Sequence, residues 1–233
     1  MVKKKDIFDS PLYTISNYIW YFFMANFCFV LTSFPLILTI AAYKEKIFSE
    51  GFLFFVVTFL LEGPAATALL SIMGKLEREK DINTVRDYFK AYKVNFVQSL
   101  FVWSVQFLII FALIEDIRII KNIGHGKFLI PVFYVLLFFI LSIGLYMYPV
   151  LTRFYLKTKD LIKFSMFFLI VKVKNTLILI FMVILISQIM LYLSILPFLI
   201  FASVIAFGIM YIQKNIIQDL EEMKKKQDSL LDK

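Results

Sequence analysis

The chain has one cysteine and one histidine in 233 residues, and its charged residues amount to only 18%. Cys28 sits inside an apolar run, so the chain holds no internal disulfide and cannot build a four-ligand site on thiolates. His125 stands alone between Gly124 and Gly126, which removes the paired histidines of a zinc site and any HExxH pattern. Nothing resembles a nucleophile elbow that could use that histidine. The seven glycines are scattered, with no Walker-type phosphate loop. No catalytic residue, cofactor-binding residue or metal ligand is expected, and the chain is not expected to be an enzyme.

What the chain does have is apolar bulk. Hydrophobic residues make up 61%, with 28 phenylalanines, whereas a soluble domain carries roughly 45–50% apolar residues. A span needs about 20 apolar residues to cross about 30 Å of hydrocarbon. Runs of that kind lie near 17–43, 52–74, 97–114, 128–151, 176–193 and 195–213. The expected fold is an all-α polytopic membrane helix bundle of about six spans in a single membrane domain, 1–233. Connectors at 75–96 and 152–175 and a tail at 214–233 complete it. Leu196–Pro197 separates the last two spans, because proline removes a donor and disfavours helix at the residue before it. The apolar run behind Lys3, Lys4 and Lys5 is too long for a signal-peptide core, so an uncleaved first span is expected.

Short cytoplasmic loops retain Lys and Arg. With six spans, one side collects Lys3–Lys5, both long connectors and the tail, and leaves only Lys44, Lys46, Arg118, Lys121 and Lys127 for the other. Both termini are therefore expected in the cytoplasm. The net charge of +8 lies in strips that flank apolar runs, which fits anionic lipid headgroups and no nucleic acid.

In the first connector, Thr84 can cap a helix with Asp87 as the acidic member of the box. Val85, Tyr88, Phe89, Tyr92 and Phe96 fall on one face of it, opposite Arg86, Asp87, Lys90 and Lys93. That pattern fits an amphipathic helix lying along the inner leaflet, either a plain connector or a docking face for a partner. The stretch 160–175 repeats the arrangement before span five, so the halves resemble a parallel duplication. Ile216, Ile217, Leu220 and Met223 form an apolar stripe on the tail.

Glu62, in Leu60-Leu61-Glu62-Gly63-Pro64, is a carboxylate within span two, where an ionised group must face a partner, a cavity or a proton. Gly63-Pro64 can break the helix and put Glu62 near the positive end of a new half-helix. Glu62, Gly63 and Pro64 form the candidate intramembrane site. Asn26, Gln106, Ser187 and Gln188 fit interhelical hydrogen bonding, and Glu115 and Asp116 near Arg118 a solvated helix end.

The segment Gly63-Pro64-Ala65-Ala66-Thr67-Ala68-Leu69-Leu70, then Met73-Gly74-Lys75-Leu76-Glu77-Arg78-Glu79-Lys80-Asp81-Ile82, resembles the YesL family of bacterial integral membrane proteins. Asp87-Tyr88-Phe89-Lys90-Ala91-Tyr92-Lys93-Val94-Asn95-Phe96-Val97-Gln98-Ser99-Leu100 continues the likeness, while Glu62 departs from the apolar or small polar residue usual before that glycine. The resemblance implies a multi-pass protein of the bacterial plasma membrane with no established activity. Its members are often encoded beside ABC-type oligosaccharide uptake systems, which implies an accessory role with a sugar ABC permease and its ATPase as partners. The competing expectation is an autonomous small transporter or channel, alone or as a homo-oligomer, with its site at the broken second span.

Overall fold

The computed structural model describes residues 11–123, 126–154, 156–192 and 199–231. Lys3–Lys5, His125 with Gly124, the Leu196–Pro197 break and Lys233 lie outside them, as does the side chain of Met223. Ten α-helices form the described chain: α1 (Pro11–Thr32), α2 (Phe34–Tyr43), α3 (Phe52–Leu60), α4 (Glu62–Glu79), α5 (Thr84–Ile123), α6 (Ile130–Arg153), α7 (Thr158–Val171), α8 (Val173–Tyr192), α9 (Phe201–Ile212) and α10 (Lys214–Leu231). No strand occurs among the described residues. Four segments are long and apolar enough to cross a membrane: Thr14–Thr32, Phe52–Glu79, Thr84–Ile123 and Lys127–Arg153. The pair α7–α8, bent by 94°, brings the number to five if it counts as one span, and α9 is a shorter apolar helix of 12 residues.

Three expectations need correction. The stretch 84–96 is not a separate helix lying along the leaflet. It is the first third of α5, a continuous helix of 40 residues, whose length of about 60 Å is twice the hydrocarbon thickness. Nothing between Phe96 and Val97 interrupts the backbone, because no proline or glycine falls there. The equivalent stretch of the second half does turn away sharply, at Lys172, so the two halves are not built alike. The cap also shifts by one residue. Asn83 Oδ1 accepts the Arg86 N–H at 3.3 Å and Asp87 Oδ2 accepts the Asn83 N–H at 3.2 Å, so Asn83 closes the helix start and Thr84 is buried.

The bundle is organised around α4, which packs against α1, α5, α6 and α9. It is a mild helix by composition, with Gly63, Ala65, Ala68 and Gly74 buried among its neighbours. Without a hydrophobic drive between helices in lipid, small residues let backbones approach closely and gain van der Waals contact. The bulky apolar residues point the other way, with Val97 at 78% and Phe128 at 79% exposure, as a lipid-facing surface requires.

Charged groups gather at two opposite ends. At one end Lys75 reaches Asp87 at 2.8 Å, Lys214 reaches Glu77 at 2.7 Å, and Arg153 pairs with Glu221. Glu77 is buried, and its carboxylate holds the Lys214 ammonium above the usual lysine range. At the other end Glu115 pairs with Arg118 at 3.6 Å and Lys121 meets the Tyr134 hydroxyl at 3.1 Å. In the tail helix, Ile216, Ile217 and Leu220 are buried, so the visible part of the apolar stripe on α10 is used inside the chain. Asn26 accepts the Ala202 N–H at 3.1 Å and Gln106 donates to the Ile140 carbonyl at 2.9 Å, so both join helices as expected; Gln188 is exposed.

Glycine at position 63 is required by its neighbour. A Cβ there would run into the Trp103 side chain at its root and lie 3.1 Å from the Ser99 carbonyl oxygen. Gly63→Ala should therefore destabilise the bundle by about 1–3 kcal/mol through overpacking. Gly208→Ala, which meets only the flexible end of Met182, should cost less. Thermal unfolding of both variants in one detergent checks the order.

Candidate functional site: a buried carboxylate where two helix breaks meet

Two spans change helix at the same place in the bundle. The first passes from α1 to α2 through Ser33, and the second from α3 to α4 through Leu61. Each break is followed by a proline, Pro35 and Pro64, that cannot supply the N–H a regular helix would give to the carbonyl four residues upstream. Leu31 and Leu60 carry those carbonyls. The break in the second span falls at Leu61, so Glu62 opens α4 and Pro64 takes the third place of its first turn. Glu62 thus sits at the positive end of the α4 dipole.

The two breaks are joined by a hydrogen bond. Ser33 Oγ donates to Glu62 Oε2 at 2.8 Å, and Glu62 is 8% exposed. The other oxygen, Oε1, is buried with no partner. Depth follows from helix rise. Glu62 lies thirteen residues from Lys75, roughly 20 Å. Ser33 lies twelve from Tyr21, whose hydroxyl donates to Asp81 at 2.6 Å, again roughly 18 Å from the charged end.

Around this pair the chain closes itself. The Tyr88 hydroxyl is 2.7 Å from Thr32 Oγ1 and 3.2 Å from the Ala65 carbonyl oxygen. Thr32 Oγ1 is also 2.9 Å from the Phe29 carbonyl oxygen, so the two hydroxyls tie α1 to α5 and, through Ala65, to α4. The Trp103 indole donates to the Phe59 carbonyl at 3.0 Å, two residues before the break. Among the described residues no lysine, arginine or histidine nitrogen lies within 4.0 Å of the Glu62 carboxylate. What the junction lacks is positive charge.

Glu62, Gly63 and Pro64 thus come together with Ser33, Thr32, Tyr88 and Trp103. Of the proposed docking face, Tyr88 is fully buried against α1 and α4, and Tyr92 and Phe96 are half-buried; Val85 and Phe89 remain exposed. Helical spacing had put the five on one face correctly, but that face turns partly inward. Ser33 was missed, although a signal existed: Ser33-Phe34-Pro35 and Glu62-Gly63-Pro64 share a polar residue two places before proline in adjacent spans. Beside the junction lies an apolar cavity of about 430 Å³ walled by Phe59, Leu70, Trp103 and Phe107, with Gln106 and Tyr148 as its polar members. Among the described residues no cluster of His, Cys, Asp and Glu could hold a metal ion.

Residues 13–117 match the model of a family described as protein of unknown function, DUF624. This stretch is a DUF624 region. The YesL family is that family, so the resemblance carried by residues 63–100 holds. The DUF624 region runs from α1 into the last turns of α5, and the whole junction falls inside it. No curated protein and no solved structure matches the chain.

The Tyr88 hydroxyl makes a direct test. Tyr88→Phe removes the donor to the Ala65 carbonyl and the partner of the Thr32 hydroxyl, and should lower stability by about 1–2 kcal/mol. Phe89→Leu, on the exposed edge, should leave it within about 0.5 kcal/mol. Denaturant unfolding in mixed micelles, followed by tryptophan emission, reads both.

Proposed function

We propose that the chain is a multi-pass plasma-membrane protein, not an enzyme, whose working site is the Ser33–Glu62 junction, and that it binds and passes a single small positive charge, a proton or a monovalent cation. The observation that supports this is Glu62 Oε1, buried and without a partner, on a carboxylate that meets one hydroxyl and no cation. An uncompensated carboxylate at that depth costs several kcal/mol, so a positive charge must neutralise it. Broken helices near mid-membrane are where many transporters hold coupling ions. The neighbouring cavity is too apolar to fit a hydrated sugar, which favours a small ion as cargo.

On this reading the end bearing Lys75, Arg78, Lys90, Arg153 and Lys214 is cytoplasmic, in keeping with retention of basic residues on that side. Six crossings, with both termini inside, require α7–α8 to rise and α9 to return. Reporters fused after Lys80 and Lys159 are expected to report cytoplasm, and one at Gly126 the outside. Any other pattern removes the orientation.

A second reading has one observation in its favour. Val85 and Phe89 stay exposed at 42% and 40% on the same end as the basic residues. They would serve an accessory protein that contacts a sugar ABC permease and its ATPase, the role that the YesL resemblance implies. Affinity purification from native membranes tests it by recovering both subunits, or not, with Val85→Lys as the control.

The primary test is flux. Proteoliposomes of the full chain should dissipate an imposed proton or potassium gradient faster than empty vesicles, and Glu62→Gln should cut that rate about tenfold or more, given the charge it removes. Ser33→Ala should reduce it less. Equal rates for Glu62→Gln and the unaltered chain, with both folded by gel filtration, would sink the proposal.

A further inference from the structure

A second site lies at the charged end, away from Glu62. The ends of α4, α5 and α6 enclose a cleft of about 350 Å³ lined by Lys75, Arg78, Lys90, Asn95 and Arg153, with Glu79 and Asp87 as its acids. The charges do not cancel. Lys75 takes both acids, Asp87 at 2.8 Å and Glu79 at 3.6 Å, and Arg153 pairs with Glu221 on α10. Arg78 and Lys90 have no carboxylate within 4.0 Å among the described residues. Arg78 stands within electrostatic reach of Arg153 and also of Glu221, Glu79 and Glu77, without pairing with any of the three acids. Four cations against two acids line one hollow, and that excess gives it the size and sign for a phosphate.

The hollow is placed for a particular bearer of that phosphate. Its walls also include Ile72, Ala91 and Val94, and Val94 is half exposed on the apolar outer surface of α5, next to the fully lipid-facing Val97. A phosphate in the cleft could therefore carry acyl chains out over α5 without burying a polar group in hydrocarbon. Basic pockets between membrane helices on the cytoplasmic side recognise lipid headgroups in this way.

We propose that the cleft between α4, α5 and α6 is a binding site for a phosphate monoanion or diester, held by Arg78 and Lys90 with Arg153 behind them, and most naturally the headgroup of an anionic phospholipid. The site needs no part of the ion-passing reading above, since Glu62 lies roughly 20 Å along α4 from Lys75.

The test uses the full chain in a neutral detergent, titrated with phosphatidylglycerol or phosphatidylcholine and read by native mass spectrometry. One phosphatidylglycerol per chain should be retained in preference to phosphatidylcholine, and the double variant Arg78→Gln/Lys90→Gln should lower that retention about tenfold or more. Lys44→Gln/Lys46→Gln, at the opposite end, should leave it unchanged, and Arg78→Lys with Lys90 intact should restore part of it. A parallel arm adds inorganic phosphate alone and follows the melting temperature. Stabilisation by phosphate that depends on Arg78 and Lys90, without lipid selectivity, keeps the anion site and assigns it to a free phosphate. Equal retention of both lipids, or binding indifferent to the Arg78→Gln/Lys90→Gln change in a variant that melts like the unaltered chain, with no effect of phosphate, overturns the proposal.

Discussion

Close approach to α4 is the constraint on which the rest depends. A helix at the centre of a membrane bundle touches protein on most sides, so large side chains there would hold its neighbours apart. Gly63, Ala65, Ala68 and Gly74 keep its surface low enough for Trp103 of α5 and Met210 of α9 to lie directly on its backbone. Because α4 is small-residued and interior, it is also where the chain can afford polar chemistry. Glu62 at its start and Glu77 near its end are both buried, and each is met by a group from another helix, Ser33 and Lys214.

The two buried carboxylates behave differently because of where they sit. Glu77 lies at the charged end, within reach of Lys214 at 2.7 Å and Lys80 at 3.9 Å, so its charge is balanced by groups that are themselves partly in water. Glu62, about four helical turns deeper in the bundle, is offered a single hydroxyl. The same residue type is structural in one place and an unfinished electrostatic problem in the other. The distinction comes from the company each carboxylate keeps.

Much of this was legible from the chain alone, and the exceptions share a cause. Apolar runs and charge strips found the membrane segments from 14 to 153, because hydropathy is a property of each segment by itself. The break at Glu62-Gly63-Pro64 was legible for the same reason. Its pairing with Ser33 was not, since that depends on which helices become neighbours. The same limit applies to Val85, Tyr88, Phe89, Tyr92 and Phe96: periodicity puts them on one side of a helix but cannot say whether lipid, water or α4 lies against that side. The continuity of α5 across Phe96 is hidden in the sequence because the pattern there changes from amphipathic to wholly apolar, although no residue breaks the backbone. At the other end of the chain, α9 is too short to match the run 195–213, part of which lies outside the described residues.

The uninterrupted length of α5 gives the bundle the mechanics of a rod rather than a chain of links. Its flank at Ser99 and Trp103 bears on Gly63, and its lower arm carries Tyr88, Asp87 and Lys90. With the fulcrum twelve residues above Asp87, a tilt of about 5° moves that end by roughly 1.5 Å, at 1.5 Å of rise per residue. That displacement is half a hydrogen-bond length. A rigid lever of this kind cannot change its seat on Gly63 without also changing the spacing between Lys90 and Arg78.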